Sequence, residues 1–295
     1  MSDFIISCCS PTDLTREYFA ERSVPLGYFK YTMDGVEYMD DLGATMSPKE
    51  FYARIDAGSM PVTSQVNVTE YIAMFEPTLQ AGKDVLHMTL SSGISGSYNS
   101  AKIAEEELRA KYPDRKLFVI DSIAASAGYG LLADTALDMR DSGATIEETA
   151  QWIEANKNRL HHWFFTTDLK HFKRGGRVSA TAAVMGSLLN ICPVLNVDPN
   201  GKLIPRSKVR GKKNVIKEMC ELMKKHAEGG SNYGKKCFIS HSACLDDAKA
   251  LADLIETEIP NIDGGIKIYD IGATIGSHTG PGTVALFFWG DERVE

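Results

Sequence analysis

Hydroxyl side chains are concentrated in one short Ser/Gly turn of the sequence. The turn, residues 91–97, reads Ser-Ser-Gly-Ile-Ser-Gly-Ser and stands between an apolar run and a segment of helical period. Glycines allow a tight turn, and a helix N-terminus presents free N–H groups and a positive dipole end. Ser91 and Ser92 therefore favour a carboxylate or phosphate site, although a capped strand-to-helix turn is the plain alternative. The spacing is not the G-x-S-x-G of a nucleophile elbow.

Two further polar groups stand in other turns. Thr63 and Ser64 follow a Gly-Ser-Met-Pro loop, where a hydroxyl pair most often caps a helix. His278 and Thr279 lie in the glycine-rich segment 272–282, which we predict to be a loop between two strands. A histidine there can donate to an anion or titrate near neutrality, and a solvated loop histidine is the alternative.

A basic turn, residues 173–177, reads Lys-Arg-Gly-Gly-Arg. Basic side chains in such a turn usually lie in solvent. Arg177, beside paired glycines, could instead reach an anion with its fork of donors.

Markers of common cofactors are missing from the sequence. There is no phosphate-binding G-x-x-x-x-G-K-[ST], no dinucleotide G-x-G-x-x-G after a strand and no H-E-x-x-H. Cys237, His241 and Cys244 are spaced like zinc ligands, but too few partners accompany them, so packing is the favoured interpretation. We expect no catalytic residues, no cofactor and no metal.

Composition and charge limit the classes of protein to which this chain can belong. The chain has 295 residues, is 43% hydrophobic and carries a net charge of −7. This is ordinary for a globular protein, and the acidity argues against a nucleic-acid partner. The six cysteines follow no secreted framework and the first residues do not resemble a signal peptide, so we expect a reduced, cytoplasmic protein. The most apolar stretch, residues 182–197, is too short to span a membrane.

The elements that position these groups alternate between strand and helix, which predicts an α/β architecture with parallel strands. We place a domain boundary near residue 165, giving a doubly wound parallel-sheet domain over residues 1–165 and an α/β domain over 166–295. Predicted strands cover residues 4–6, 85–90, 117–120, 163–166, 235–240, 266–271 and 284–288. Predicted helices cover residues 47–57, 97–111, 146–160, 213–228 and 245–258.

Six short motifs, in this order, resemble those of the DegV family of bacterial fatty-acid-binding proteins, and the likeness runs along nearly the whole chain. Each motif is weak alone, whereas their order and spacing together are specific. They are PVTSQ (61–65), LSSGISGSY (90–98), IDS (120–122), GGRVS (175–179), KVRGKK (208–213) and SHTGPG (277–282).

The resemblance implies a two-domain α/β protein, not an enzyme, that encloses one long-chain fatty acid between its domains. Some relatives present the acid to a separate ATP-dependent kinase and then hold the acyl phosphate for phospholipid metabolism. Position by position, the carboxylate contacts implied are Thr63, Ser92 and His278, with Ser64, Ser91 and Thr279 next to them. Arg177 matches a position associated with phosphoryl transfer or kinase docking. One departure is Cys9, where the family has an aspartate.

Two functional interpretations other than a lipid carrier stay open. A Ser-rich turn also cradles phosphate in sugar-phosphate isomerases, although no general-base carboxylate stands beside this one. A purely regulatory interaction domain would bind no small molecule. Within the lipid-carrier hypothesis, residues 182–195 are a candidate for the tunnel wall, and an ordinary core helix is the alternative.

Overall fold

The structure, a computed structural model, describes residues 4–178 and 190–294. In chain order the helices of these residues are α1 (Arg16–Glu21), α2 (Pro48–Asp56), α3 (Val68–Gln80), α4 (Ser97–Lys111), α5 (Ser126–Asp141), α6 (Ile146–Asn156), α7 (Lys170–Arg174), α8 (Lys212–His226), α9 (Leu245–Glu258) and α10 (Ala273–Thr279). The strands are β1 (Phe4–Cys9), β2 (Leu26–Gly27), β3 (Lys30–Met33), β4 (Val36–Met39), β5 (Val62–Ser64), β6 (Asp84–Thr89), β7 (Leu117–Asp121), β8 (Leu160–Thr166), β9 (Ile191–Val197), β10 (Leu203–Arg210), β11 (Cys237–His241), β12 (Ile266–Asp270) and β13 (Thr283–Trp289).

A four-stranded parallel sheet, in the order β2-β1-β6-β7, forms the first half of the molecule. Its central strand β6 is a nearly continuous buried run, as expected where helices cover both faces of a parallel sheet. Helices α3, α4 and α6 pack against it. The carboxyl ends of β6 and β7 lead into the Ser/Gly turn and into α5.

A six-stranded sheet, in the order β10-β9-β8-β13-β11-β12, forms the second half. The expectation of parallel strands is wrong here, because only β11 and β12 pair in parallel and every other pairing is antiparallel. Strand β8 begins at Leu160 and pairs with β9 and β13, so it belongs to this sheet. The division of the chain at residue 165 stays a prediction.

Helix α5 lies between the two halves. It contacts β8, β11 and β13 of the six-stranded sheet and β1 of the parallel sheet. Its buried side chains occupy all sides of the helix, which is typical of a helix enclosed by protein. Helices α8 and α9 contact the six-stranded sheet as well, α8 through β8, β9 and β10 and α9 through β11 and β12.

A small antiparallel sheet, in the order β4-β3-β5, carries its own aromatic cluster. Tyr31, Phe51 and Tyr52 pack there with edge-to-face ring contacts. The Tyr52 hydroxyl donates to the Ile271 carbonyl at 2.8 Å, which ties α2 to the segment before α10. These contacts hold β5 beside α10.

Two of the predicted helices have the bounds that the structure shows, and a third ends earlier than predicted. Residues 97–111 and 245–258 form α4 and α9 with the predicted limits. The predicted helix 146–160 ends at Asn156, and residues 157–159 form a 3-10 turn into β8. The glycine-rich segment 272–282 is not a loop throughout, because α10 occupies its centre. Within the described residues, no helix is both long enough and apolar enough to cross a membrane.

Candidate functional site

A cavity lies where the carboxyl end of β6 meets the α5 side of the six-stranded sheet. The empty space there amounts to about 740 Å³, part of it open to solvent. Its wall is mostly aliphatic and aromatic. The lining residues used below are Thr63, Ile94, Ser95, Ser126, His162, Phe164, Arg177, Val197, Leu203, His278, Thr279, Thr283, Ala285 and Phe287.

One end of the cavity is polar, and we call it the head end. There Thr63 Oγ1 and His278 Nε2 lie 2.8 Å apart in a hydrogen bond that joins β5 to α10. Side chains alternate along a strand, so Thr63 faces inward while Ser64 is exposed on the opposite face. Thr279 is buried in the cavity wall beside His278.

His278 is neutral at the head end. Burial, reinforced by the charges of Arg177 and Arg174, lowers the pKa of His278 to about 4. Its Nδ1 is buried and finds no hydrogen-bond partner within the described ranges. An added β-carbon at Gly175 would lie 2.3 Å from that nitrogen, so only glycine leaves room for the imidazole. A ligand anion here would meet a neutral ring close to two cations.

Arg177 stands at the rim of the cavity. Its Nε donates to the Ile94 carbonyl at 3.1 Å and its Nη1 to the Gly175 carbonyl at 2.6 Å. Burial lowers the pKa of Arg177, and no described carboxylate compensates for that burial. The guanidinium is therefore a half-buried cation held by neutral carbonyls, which suits transient contact with an anion.

Three of the four serines of the Ser/Gly turn take different positions relative to the cavity. Ser91 is buried, where its hydroxyl donates to the Gly201 carbonyl at 2.8 Å and accepts from Gly93 N–H at 3.1 Å. Ser92 is exposed, and its N–H donates to Asp121. Ser95 lines the cavity. The structure thus brings Ser95, rather than Ser91 or Ser92, together with Thr63 and His278.

A second, more open hollow adjoins the head end, and we call it the outer depression. It shares Ile94, Ser95, Arg177 and Leu203 with the cavity wall. Ser92 and Lys202 line it as well. The rim residues therefore face both an enclosed apolar space and an accessible surface.

Sequence reasoning missed the opposite end of the cavity, which we call the deep end. His162, Phe164 and Phe287 form its wall on β8 and β13. A histidine between Leu160 and Trp163 in an apolar strand gives no local signal of a binding role, because its contacts come from a strand more than 100 residues away. Of the predicted tunnel segment, residues 182–189 lie outside the described residues, and residues 191–195 start β9, whose last residue Val197 lines the cavity.

Cys9, the departure from the family pattern, is a core residue. Its Sγ lies 3.1 Å from the Tyr71 hydroxyl and 3.6 Å from His87 Nε2. Burial raises the pKa of Cys9 to about 11 and lowers that of His87 to about 3. Both groups are neutral near pH 7, so they form a hydrogen-bonded core contact and not an activated thiolate pair.

Among the described residues, one group has the spacing of metal ligands: His161, His226 and Asp291. The two imidazole rings are stacked, with centroids 5.1 Å apart and planes inclined by 26°. Nitrogen lone pairs lie in the ring planes, so rings stacked in this way do not converge on one ion. The Cys237, His241 and Cys244 spacing is not such a group, and the Cys244 thiol donates to the Thr283 carbonyl at 3.2 Å.

Comparison with known proteins agrees with the motif order. A family model described as an uncharacterised protein of the DegV family matches residues 7–291. The chain belongs to the DegV family. A DegV domain-containing protein of Clostridium perfringens is 40% identical over 293 residues and 99% of each chain. The resemblance seen in the sequence is confirmed.

Solved structures of DegV proteins share the fold. A Thermotoga maritima protein whose structure reveals a fatty acid binding function has 28% identity and a TM-score of 0.80, covering 99% of this chain and 100% of its own. The Streptococcus pneumoniae fatty acid kinase B3 protein, loaded with linoleic acid, has 21% identity and a TM-score of 0.84, with coverage of 99% and 100%. The α/β fold class is thereby confirmed.

Proposed function

We propose that this protein binds one long-chain fatty acid in the cavity, with the carboxylate at the head end and the acyl chain toward the deep end. The observation that carries the proposal is a mostly apolar cavity with Thr63, His278 and Arg177 gathered at one end. Each buried methylene contributes about 0.8 kcal/mol, so an acyl chain can supply most of the affinity. The fatty acids bound by DegV relatives support the same conclusion.

The carboxylate contacts follow from which hydroxyls face inward. We propose direct contacts from Thr63, Ser95 and His278, with Thr279 beside them in the wall. Ser91 would act indirectly, because its hydroxyl already holds the Gly201 carbonyl. Exposed Ser64 and Ser92 would serve the outer surface rather than the bound acid.

The sugar-phosphate isomerase alternative is disfavoured. No Asp or Glu of the described residues lines the cavity, so the cavity wall offers no carboxylate that could act as a general base for proton abstraction. A polar sugar would also leave its hydroxyls unpaired against an apolar wall.

The proposal is tested by extracting the purified protein with denaturing solvent and identifying acyl chains by mass spectrometry. Added oleate or stearate should also raise the thermal unfolding temperature, because a ligand that binds only the folded state stabilises it. Absence of acyl chains together with no thermal shift would refute fatty-acid binding. A thermal shift with sugar phosphates and none with fatty acids would favour the isomerase alternative.

We further propose that a separate ATP-dependent kinase phosphorylates the bound acid across the outer depression. Arg177 lies where the cavity and the depression meet, beside a carboxylate that would become an acyl phosphate. R177A should leave fatty-acid affinity within about threefold, since the tail supplies most of that affinity, yet abolish phosphorylation by a cognate kinase. Equal loss of binding and phosphorylation would contradict this division of roles.

A further inference from the structure

A second hollow opens beside the first turn of α10, and we call it the acidic hollow. It is bounded by the segment 40–48 after β4, by the end of β12 and by the start of α1. Its empty space amounts to about 950 Å³, part of it open to solvent. Among the described residues, none lines both this hollow and the cavity, so the two are separate sites.

The charges in the wall of the acidic hollow are mostly negative. Its acidic residues are Asp13, Glu17, Asp40, Asp41 and Asp270. Of the described residues, Arg16 is the one cation in the wall, and its side chain is exposed at the rim. The hollow therefore offers several carboxylates to a cationic ligand and has little positive charge of its own.

Two of these carboxyls are buried without a counter-charge. Asp40 is 3% exposed and Asp13 is 6% exposed, and neither contacts a cationic side chain from residues 4–178 or 190–294. Asp13 accepts from Gly272 N–H at 2.9 Å and from the Ser126 hydroxyl at 2.5 Å. Burial raises the pKa of both carboxyls. A buried carboxylate without a paired cation is unfavourable, so a cation bound here would be stabilised by both groups.

Asp40 has one oxygen left for a ligand. Its Oδ2 accepts from Thr274 N–H at 3.1 Å. Its Oδ1 has no hydrogen-bond donor among the described residues, and it is not one of the unpaired polar atoms that the protein encloses completely. Because Asp40 lines the hollow, this oxygen is reached from the hollow.

Apolar side chains fill the wall between the carboxyls. Tyr31 and Met46 contact each other there, with the Tyr31 hydroxyl 3.6 Å from Met46 Sδ. Tyr269 lies beside Asp270 on β12, and Met39, which is 46% exposed, stands at the end of β4. Methylene groups can pack on such a wall, and an ammonium near an aromatic ring is stabilised by the ring.

A metal ion fits this arrangement less well than an organic cation. Calcium and magnesium need several oxygen ligands converging on one point. The group of described residues with metal-ligand spacing, His161, His226 and Asp291, lies outside the hollow. The carboxylates of the hollow instead stand on three different segments, which suits a flexible ligand with more than one positive group.

We propose that the acidic hollow binds an aliphatic polyamine, with one ammonium group at Asp40 Oδ1, another near Asp270 and the methylenes against the apolar wall. This site is additional to the proposed fatty-acid function and does not rest on it.

The test is isothermal titration calorimetry of the purified protein with spermidine at constant ionic strength. Spermidine should bind at one site, putrescine should bind there more weakly, and magnesium chloride at the same ionic strength should not displace spermidine. D40N keeps the side-chain shape and an oxygen for Thr274 N–H, yet it should weaken spermidine at least about tenfold. R16Q, which removes the cation of the rim, should strengthen binding about twofold to threefold.

D246N is the matched control. Asp246 is an exposed acid in the first turn of α9 and does not line the hollow, so the variant loses the same charge elsewhere. It should bind spermidine as the unaltered protein does. D270N is the second variant if D40N does not fold, since the Asp270 side chain is 56% exposed, and it should weaken spermidine at least about threefold.

The inference is wrong if spermidine does not bind, if folded D40N or D270N binds it within 1.5-fold of the unaltered protein, or if D246N weakens it as much as D270N. Displacement by magnesium would also overturn it, because the site would then recognise charge alone. The thermal shift with oleate measures the fatty-acid function separately, so a failure of either proposal can be told from a failure of the other.

Discussion

The head end and the deep end of the cavity differ in the hydrogen bonds that their polar side chains make, although each has one buried imidazole nitrogen without a partner among the described residues, His278 Nδ1 and His162 Nε2. At the head end Thr63 and His278 already pair with each other, and Arg177 is held by two backbone carbonyls. At the deep end His162 Nε2 has no partner from the described residues. The head end also adjoins the outer depression, whereas helix α5 covers the deep end.

This difference gives the two ends different roles in the proposed complex. A carboxylate at the head end replaces hydrogen bonds that the protein already makes, so the net gain from each is modest. At the deep end Gly128 of α5 lies against His162 Nε2, and Phe164 and Phe287 give the wall an apolar surface. In the proposed complex, burial of the acyl chain between the two ends would supply the bulk of the binding free energy.

The largest expected effect comes from filling the middle of the cavity with A285F. Ala285 is the small wall residue opposite Phe164. Displacing about four methylenes from the cavity costs about 3 kcal/mol at about 0.8 kcal/mol each, so stearate affinity should fall at least about 100-fold. The affinity for octanoate, which needs only the head end, should fall much less. Both affinities are measured by competition against a fluorescent fatty acid.

A285V is the graded control and should give an intermediate loss. Circular dichroism checks that both variants fold. If folded A285F bound stearate as the unaltered protein does, the acyl chain would not run between the two ends.

The next effect concerns the histidine of the head end. The pKa of His278 is about 4 in the folded protein, below the unfolded value of about 6.5. Between these values the unfolded chain binds the extra proton, so stability falls as the pH drops from 6.5 toward 4. At pH 5.5 this histidine should cost roughly 1 kcal/mol of stability relative to pH 7.5.

Urea unfolding at pH 7.5 and 5.5 measures this contribution when the ligand-free protein is compared with H278N, whose side chain does not titrate. The variant should lose roughly 1 kcal/mol less stability than the unaltered protein over that interval. Parallel losses in both proteins would show that the head end is solvated and that the two ends do not differ in burial.

A smaller effect is expected from T63V, which removes the inward hydroxyl but keeps the side-chain shape. Loss of one hydrogen bond of about 1 kcal/mol should weaken oleate about fivefold. S64A is the matched control, because Ser64 is the next residue on the same strand and faces outward. Equal effects of T63V and S64A in the competition assay would place the carboxylate elsewhere.

The motifs that form the head end could be found in the sequence. Which of their residues face the cavity could be known only from the fold. Thr63 and His278 are 215 positions apart, and their contact depends on the pairing of β5 with β3 and the position of α10. The alternation that turns Thr63 inward follows from a short strand that no pattern revealed. Ser95 stood in the quoted turn, yet only the structure distinguishes its cavity-facing side from exposed Ser92.

Several elements with local signals were predicted, although α3 was missed despite the capping box that Asn67 and Glu70 form at its start, and elements fixed by distant contacts were not predicted. Helix α4 has the expected bounds, and α2 begins within one residue of its predicted start, where Ser47 caps it by accepting from Glu50 N–H at 3.2 Å. Helix α10 was missed because its first turn is held by remote carboxylates: Asp13 accepts from Gly272 N–H and Asp40 from Thr274 N–H. The antiparallel order of the six-stranded sheet likewise depends on pairings that periodicity does not encode.

Gly175 gives the head end an unusual mutational vulnerability. It contributes no functional group, yet its bare α-carbon is what allows His278 to occupy its position. A single base change from a glycine to an alanine codon would push the imidazole away from Thr63 while every polar residue of the site stayed in the sequence. The site can therefore be lost by a substitution at a residue that makes no polar contact in it.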